Sequence, residues 1–289
     1  MTAIFPKVKT ASRARRALVK AKNAFKIVPV RPFSSSLAIV SLLLAACAGM
    51  PQQEALREAE GLREIAEGLL EDGRPADALA RFQEALAKAP SEVSIKFDIG
   101  RAYHALSRPA EAARWTREAC EGTRPEVPGC WNNLALFEFE KGDPAAAEKA
   151  ARRALSFDTF SEPEKAYATL ARALAAQKRL DEADAAAQKS VERNPEDCLV
   201  RCVRTHVLVL RKDYEEALFQ ARWAARKCPF DPRSLAWEGY ARYQIGQHRV
   251  AKQRFTGIVE RFSGSQYAEY SQRALDALSL RRPVEEPPL

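Results

Sequence analysis

Histidine is nearly missing from this chain of 289 residues, which has only three, His104, His206 and His248. Their spacing suits no metal site, and none stands in a Ser/His/Asp or Cys/His arrangement. Glycine is sparse as well, twelve in all, and no Gly-rich run offers a phosphate cradle. These absences argue against an enzyme, and no cofactor, metal ion or small-molecule substrate is expected. Long apolar runs are wanting too. The strongest, Leu37 to Ala46 ("LAIVSLLLAA"), is half the length of about 20 residues that a membrane-spanning helix needs. There are almost no β-branched clusters bounded by turns, which leaves little to build a sheet.

Acidic residues are absent from the first 46 positions, where Lys7, Lys9, Arg13, Arg15, Arg16, Lys20, Lys22, Lys26 and Arg31 supply nine bases. The formal charge of +8 therefore belongs to this leader. Beyond it, 37 basic residues face 38 acidic ones, a net charge of −1. A basic chain usually prompts a search for nucleic acid, but a nearly neutral body gives that search no support. With 46% hydrophobic residues, the body is long enough to bury a sizeable core as one or two domains.

The leader has the parts of an export signal: Arg31, then the apolar run, then small residues at its end. Leu44-Ala45-Ala46-Cys47 resembles the bacterial lipoprotein lipobox, in which the cysteine thiol receives diacylglycerol and becomes the first mature residue. The alternative is an ordinary export signal with a chance cysteine. The resemblance implies lipidation at Cys47, a signal peptide over 1–46 and a lipidated linker over 47–58. Ala48, where an aspartate often holds such proteins in the inner membrane, implies the periplasmic face of the outer membrane. Acyl chains contribute about 0.8 kcal/mol per buried CH₂, so more than one on a single cysteine makes a stable tether. The basic stretch is too long for this signal class, and Val30 stands just before the apolar run. Translation is expected to begin near Val30, leaving 1–29 untranslated; otherwise the stretch is made and discarded with the signal.

From Pro51 onward Ala, Glu, Arg and Leu recur at helical spacing. Ala78, Ala112, Ala147, Ala183, Ala217 and Ala251 recur at intervals of 34, 35, 36, 34 and 34. Around them fall Gly73, Phe82 and Pro90; Gly100 and Tyr103; Trp131, Leu134 and Gly142; Tyr167, Leu170 and Pro195; Tyr214 and Pro229; Gly239, Gly246 and Phe255. This resembles the tetratricopeptide repeat, two helices per 34 residues. It implies an all-α, right-handed superhelix over 59–282, with repeats starting near 59, 93, 128, 164, 198 and 232. The stretch 266–282 reads as a capping helix, and 283–289 ("PVEEPPL") as a disordered tail.

Five cysteines remain once Cys47 is set aside. Cys120 and Cys130 flank the corner between two repeats and are expected to pair. Cys228 is expected to pair with Cys198 or Cys202, which lie one helical turn apart, leaving one thiol over. Zinc at those three is the rival, weakened by the want of a CxxC pair and of a neighbouring histidine.

First helices of such repeats line a concave groove, at about positions 2, 5, 9 and 12. Those positions hold Phe97, Arg101 and His104; Asn132, Leu136 and Phe139; Lys165 and Arg172; Leu199, His206 and Val209; Arg233, Tyr240 and Tyr243. Aromatics and arginines are favoured at binding hot spots; any one of these could instead be ordinary packing between repeats.

A lipobox followed by six such repeats resembles the PilF/PilW/Tgl family of type IV pilus lipoproteins. "WNNLALFEFEKGDPAAAE" (131–148) looks like that family's Asn-Asn helix, and "RRALSFDTFSEPEKAYATLARAL" (152–174) keeps its slightly long junction. "SLAWEGYARYQIG" (234–246) is similar to its late helix, and Arg261-Phe262-Ser263 departs from it where proline is usual. The resemblance implies a non-enzymatic protein that binds the outer-membrane secretin and promotes its insertion and multimerisation. A barrel-assembly scaffold or a peptidoglycan-enzyme accessory is the alternative.

Overall fold

The computed structural model describes residues 35–123 and 126–289, with side chains from residue 52 onward. The expected start near Val30 and the side chains of the lipobox, Cys47 included, lie outside the described residues. The chain divides into Met1–Gln53 and Glu54–Leu289, and the second unit holds the repeats.

Among the described residues there are thirteen helices and no strand. They are α1 (Ser35–Glu71), α2 (Pro75–Lys88), α3 (Val93–Ala105), α4 (Pro109–Gly122), α5 (Pro128–Glu140), α6 (Pro144–Leu155) and α7 (Pro163–Ala176). Then follow α8 (Leu180–Arg193), α9 (Cys198–Leu210), α10 (Tyr214–Lys227), α11 (Pro232–Gln244), α12 (His248–Arg261) and α13 (Gln266–Ser279). The stretch 47–58 expected as a linker falls inside α1. No helix among the described residues is long and apolar enough to cross a membrane.

Local chemistry sets the helix boundaries. Proline opens α2, α4, α5, α6, α7 and α11, where its missing N–H and fixed φ cost nothing. Asp143, Asp197, Asp231 and Ser265 accept from the first backbone amides of their helices. The turn inside each pair puts one residue in the left-handed region, in register with the repeat: Gly73, Ser107, Gly142, Lys178, Lys212 and Gly246. The next residue donates its N–H back to the carbonyl five residues earlier, as Arg74 to Leu69 and Asp143 to Glu138.

The six repeat alanines are all fully buried, 0% exposed. A side chain no larger than a methyl there lets second helices lie close against first helices. Two apolar clusters follow, and α9 supplies Val200, Val203 and Val207 to one and Cys198, Cys202 and Leu208 to the other. Burial of carboxylates is tolerated where arginines reach them: Asp98 meets Arg63 at 2.7 Å and Arg101 at 3.0 Å, and Glu238 meets Arg242 and Arg254 at 2.8 Å each.

Cys120–Cys130 and Cys198–Cys228 are disulfides, and Cys202, the remaining candidate, is free and buried. Among the described residues no cluster of His, Cys, Asp or Glu could hold a metal ion.

The expectation of a disordered tail is not met. Residues 283–289 are non-helical but packed, with Val284 and Pro287 buried. Arg281 takes the left-handed conformation and Arg282 donates back to Ala277, so α13 ends as the first helices of the repeats do. The same turn with a following proline opens second helices at Pro75, Pro109 and Pro144. At Pro283 it opens none, because Pro287 and Pro288 would each break the helical bond ladder and disfavour a helical residue before them.

Candidate partner-binding groove

First helices of successive repeats touch each other directly, α5 with α7, α7 with α9, α9 with α11 and α11 with α13. They therefore form the inner side of the superhelix, and residues facing away from the second helices line a groove.

In the amino-terminal half, His104 stacks on Phe137 with ring centroids 4.5 Å apart and meets Glu140 at 2.9 Å. Arg172 lies over the Phe139 ring at 4.4 Å. Burial lowers the pKa of its guanidinium, whose Nε has no hydrogen-bond partner. Phe97 and Asn132 line a cleft of about 690 Å³ at the amino-terminal ends of α3 and α5. Leu136 packs half-buried against the core. Arg101 is exposed and occupied by Asp98, and Lys165 by Glu162.

In the carboxy-terminal half the rings form a continuous series. His206 meets Trp237 at 5.4 Å, Trp237 meets Tyr240 edge-on at 6.0 Å, Tyr240 meets Tyr243 at 6.3 Å, and Tyr243 meets His248 at 5.3 Å. Arg233 donates to the Tyr267 hydroxyl at 2.9 Å. Leu199 is exposed, while Val209 is buried in the core; the regular spacing mistook that packing position for a groove position.

Residues 283–289 cross this half of the groove. The Val284 N–H donates to Tyr243 Oη at 3.4 Å, and the Tyr270 hydroxyl donates to the Glu285 carbonyl at 2.9 Å. Glu286 pairs with His206 at 3.3 Å. The hydrogen bond from His206 holds the Glu286 carboxyl below its usual range, against the opposing effect of burial. Tyr240 is buried, and its phenol is pushed up to about 12, first by burial and then by the Glu286 charge. Leu289 packs against both apolar clusters. Spacing could not reveal Glu286 as a groove residue, because it lies outside any helix. The only signal was the composition of "PVEEPPL", too polar and proline-rich to fold by itself.

The fold is that of a tetratricopeptide superhelix, an architecture for holding protein partners rather than for catalysis. Tetratricopeptide repeat family models match residues 63–129, 128–159 and 164–197. Among solved structures, PilW, a widely conserved type IV pilus biogenesis factor, superposes with a TM-score of 0.65 at 16% identity, covering 73% of this chain and 96% of PilW. PilF of Pseudomonas aeruginosa gives 0.59 at 19% identity, covering 77% of this chain and 98% of PilF. A tetratricopeptide protein of Parabacteroides merdae gives 0.63 at 16% identity, covering 78% and 88%. At these identities the likeness is one of fold. No curated protein matches the chain by sequence.

Proposed function

We propose that this protein is an outer-membrane lipoprotein, tethered through Cys47, that binds the secretin of a type IV pilus machine and promotes its membrane insertion and multimerisation. The observation that carries this reading is the extent of the likeness to PilW and PilF, 96% and 98% of those chains, in a protein whose Leu44-Ala45-Ala46-Cys47 resembles a lipobox. A non-covalent mechanism follows. The lipid stations the groove at the membrane, which raises its effective concentration for a secretin chain arriving there. The groove then holds that chain until its neighbours assemble.

The test is deletion in the source bacterium, with secretin multimers followed on gels of unheated membranes. Multimers should fall and monomers accumulate, and Cys47→Ser should reproduce part of that loss by releasing the protein from the membrane fraction. Normal multimers in the deletion strain would remove the secretin reading.

A further inference from the structure

We propose that residues 283–289 are a resident ligand of the groove, and that its partner is an extended, acidic, proline-containing segment of another protein, which binds by displacing them. The inference rests on the reading that the groove binds a protein partner, and not on which machine that partner belongs to.

Residues 281–283 repeat the turn that starts a second helix, yet the chain leaves the helical path there and crosses the inner face instead. Pro283, Pro287 and Pro288 fix φ along this non-helical segment, so little conformational freedom is lost on docking. Val284 and Pro287, three residues apart, are both buried, the period of a polyproline helix with one face inward. Glu285 between them stays exposed while its carbonyl accepts from Tyr270. Contacts by alternate groups of an extended strand, an ion pair from a groove histidine, and leucine packed at the far end are the features of peptide recognition. They fall on His206 and Tyr243, which the repeat spacing independently assigns to a partner, and on Tyr270.

The attachment is built to be released. It uses two tyrosine hydroxyls and one histidine–carboxylate contact whose side chains are 21% and 39% exposed, and past Arg282 no helix and no disulfide holds it. The acidic character of the partner has support beyond Glu286 itself. The charge of Lys178 favours a carboxylate at the place of Glu286, and Arg172, on the helix next to that of His206, has an unpartnered Nε.

The test titrates a fluorescent peptide of residues 283–289 into the full chain and into a variant ending at Arg282, read by anisotropy. The shortened protein should bind about tenfold more tightly, since its groove is not already occupied. A peptide carrying Glu286→Lys should lose that binding, as should His206→Ala in the shortened protein. Equal affinity for both proteins, or no saturable binding to the shortened one, overturns the proposal. If the shortened protein loses its helical circular dichroism, full-length Glu286→Lys takes its place. Peptide affinity gained over the unaltered chain then supports displacement, and affinity unchanged overturns it. No secretin enters this titration, so its failure leaves the deletion experiment to judge the proposed function separately.

Discussion

Gly239 of α11 lies against the Phe255 ring of α12 so closely that a Cβ in its place would come within 2.6 Å of Cε1. Phe255 is itself fully buried among its neighbours and has no space into which to retreat. Gly239→Ala should therefore cost about 1–3 kcal/mol, the usual range for overpacking a filled core. The check is a lowered urea midpoint with an unchanged slope.

Ser107, Lys178 and Lys212 occupy left-handed turns where three other repeats have glycine. A side chain there strains against its own backbone, by about 1–2 kcal/mol in the worst case. Part of the gain on removing it is offset by the greater freedom of glycine in the unfolded chain. Ser107→Gly and Lys212→Gly should each stabilise by about 0.5–1 kcal/mol, read from the same midpoints, and Gly142→Ala should do the reverse.

The two disulfides close 10 and 30 residues, and chain-entropy arguments give about 2.7 and 3.6 kcal/mol for loops of that size. Cys228→Ala should accordingly destabilise more than Cys120→Ala in thermal melts. Cys202 should behave differently, because burial pushes its thiol up to about 12 and thiolate is the reactive form. Maleimide should leave Cys202 unlabelled in native protein at pH 8 and label it in denaturant, with mass spectrometry placing the adduct.

Acid should loosen the docked segment. The folded-state pKa of Glu286 is lowered, so its contribution is complete above the ordinary glutamate value of about 4.3 and is lost only as pH falls below it. With 39% of that side chain exposed, solvent screening limits the gain to about 0.5 kcal/mol. The protection factor of the Val284 amide, which corrects for the intrinsic fall of exchange with pH, should drop by about twofold below that pH and stay level in Glu286→Gln, and 1 M salt should narrow the difference.

Much of this was legible in the residues because it is local. A proline that opens a helix, an aspartate that caps it, a left-handed turn and a small residue every 34 positions each act within a few residues of their own place. The neighbouring Cys120 and Cys130 are joined across one corner for the same reason. Val209 shows the limit of that reading: its spacing matches the groove positions, but its side chain is buried in the second apolar cluster.

By itself, then, the sequence determined the all-α repeat, its six-fold recurrence and the two cysteine corners, since these follow from chemistry repeated along the chain. Only the tertiary structure decided that Cys198 rather than Cys202 pairs with Cys228, and that 283–289 lie in the groove instead of fraying. The first depends on how α9 stands against the end of α10, and the second on how α9, α11 and α13 stand relative to one another, a geometry that accumulates over several repeats. Seven residues with three prolines and two glutamates have no structure of their own, and they acquire one only from the surface that the repeats bring beneath them.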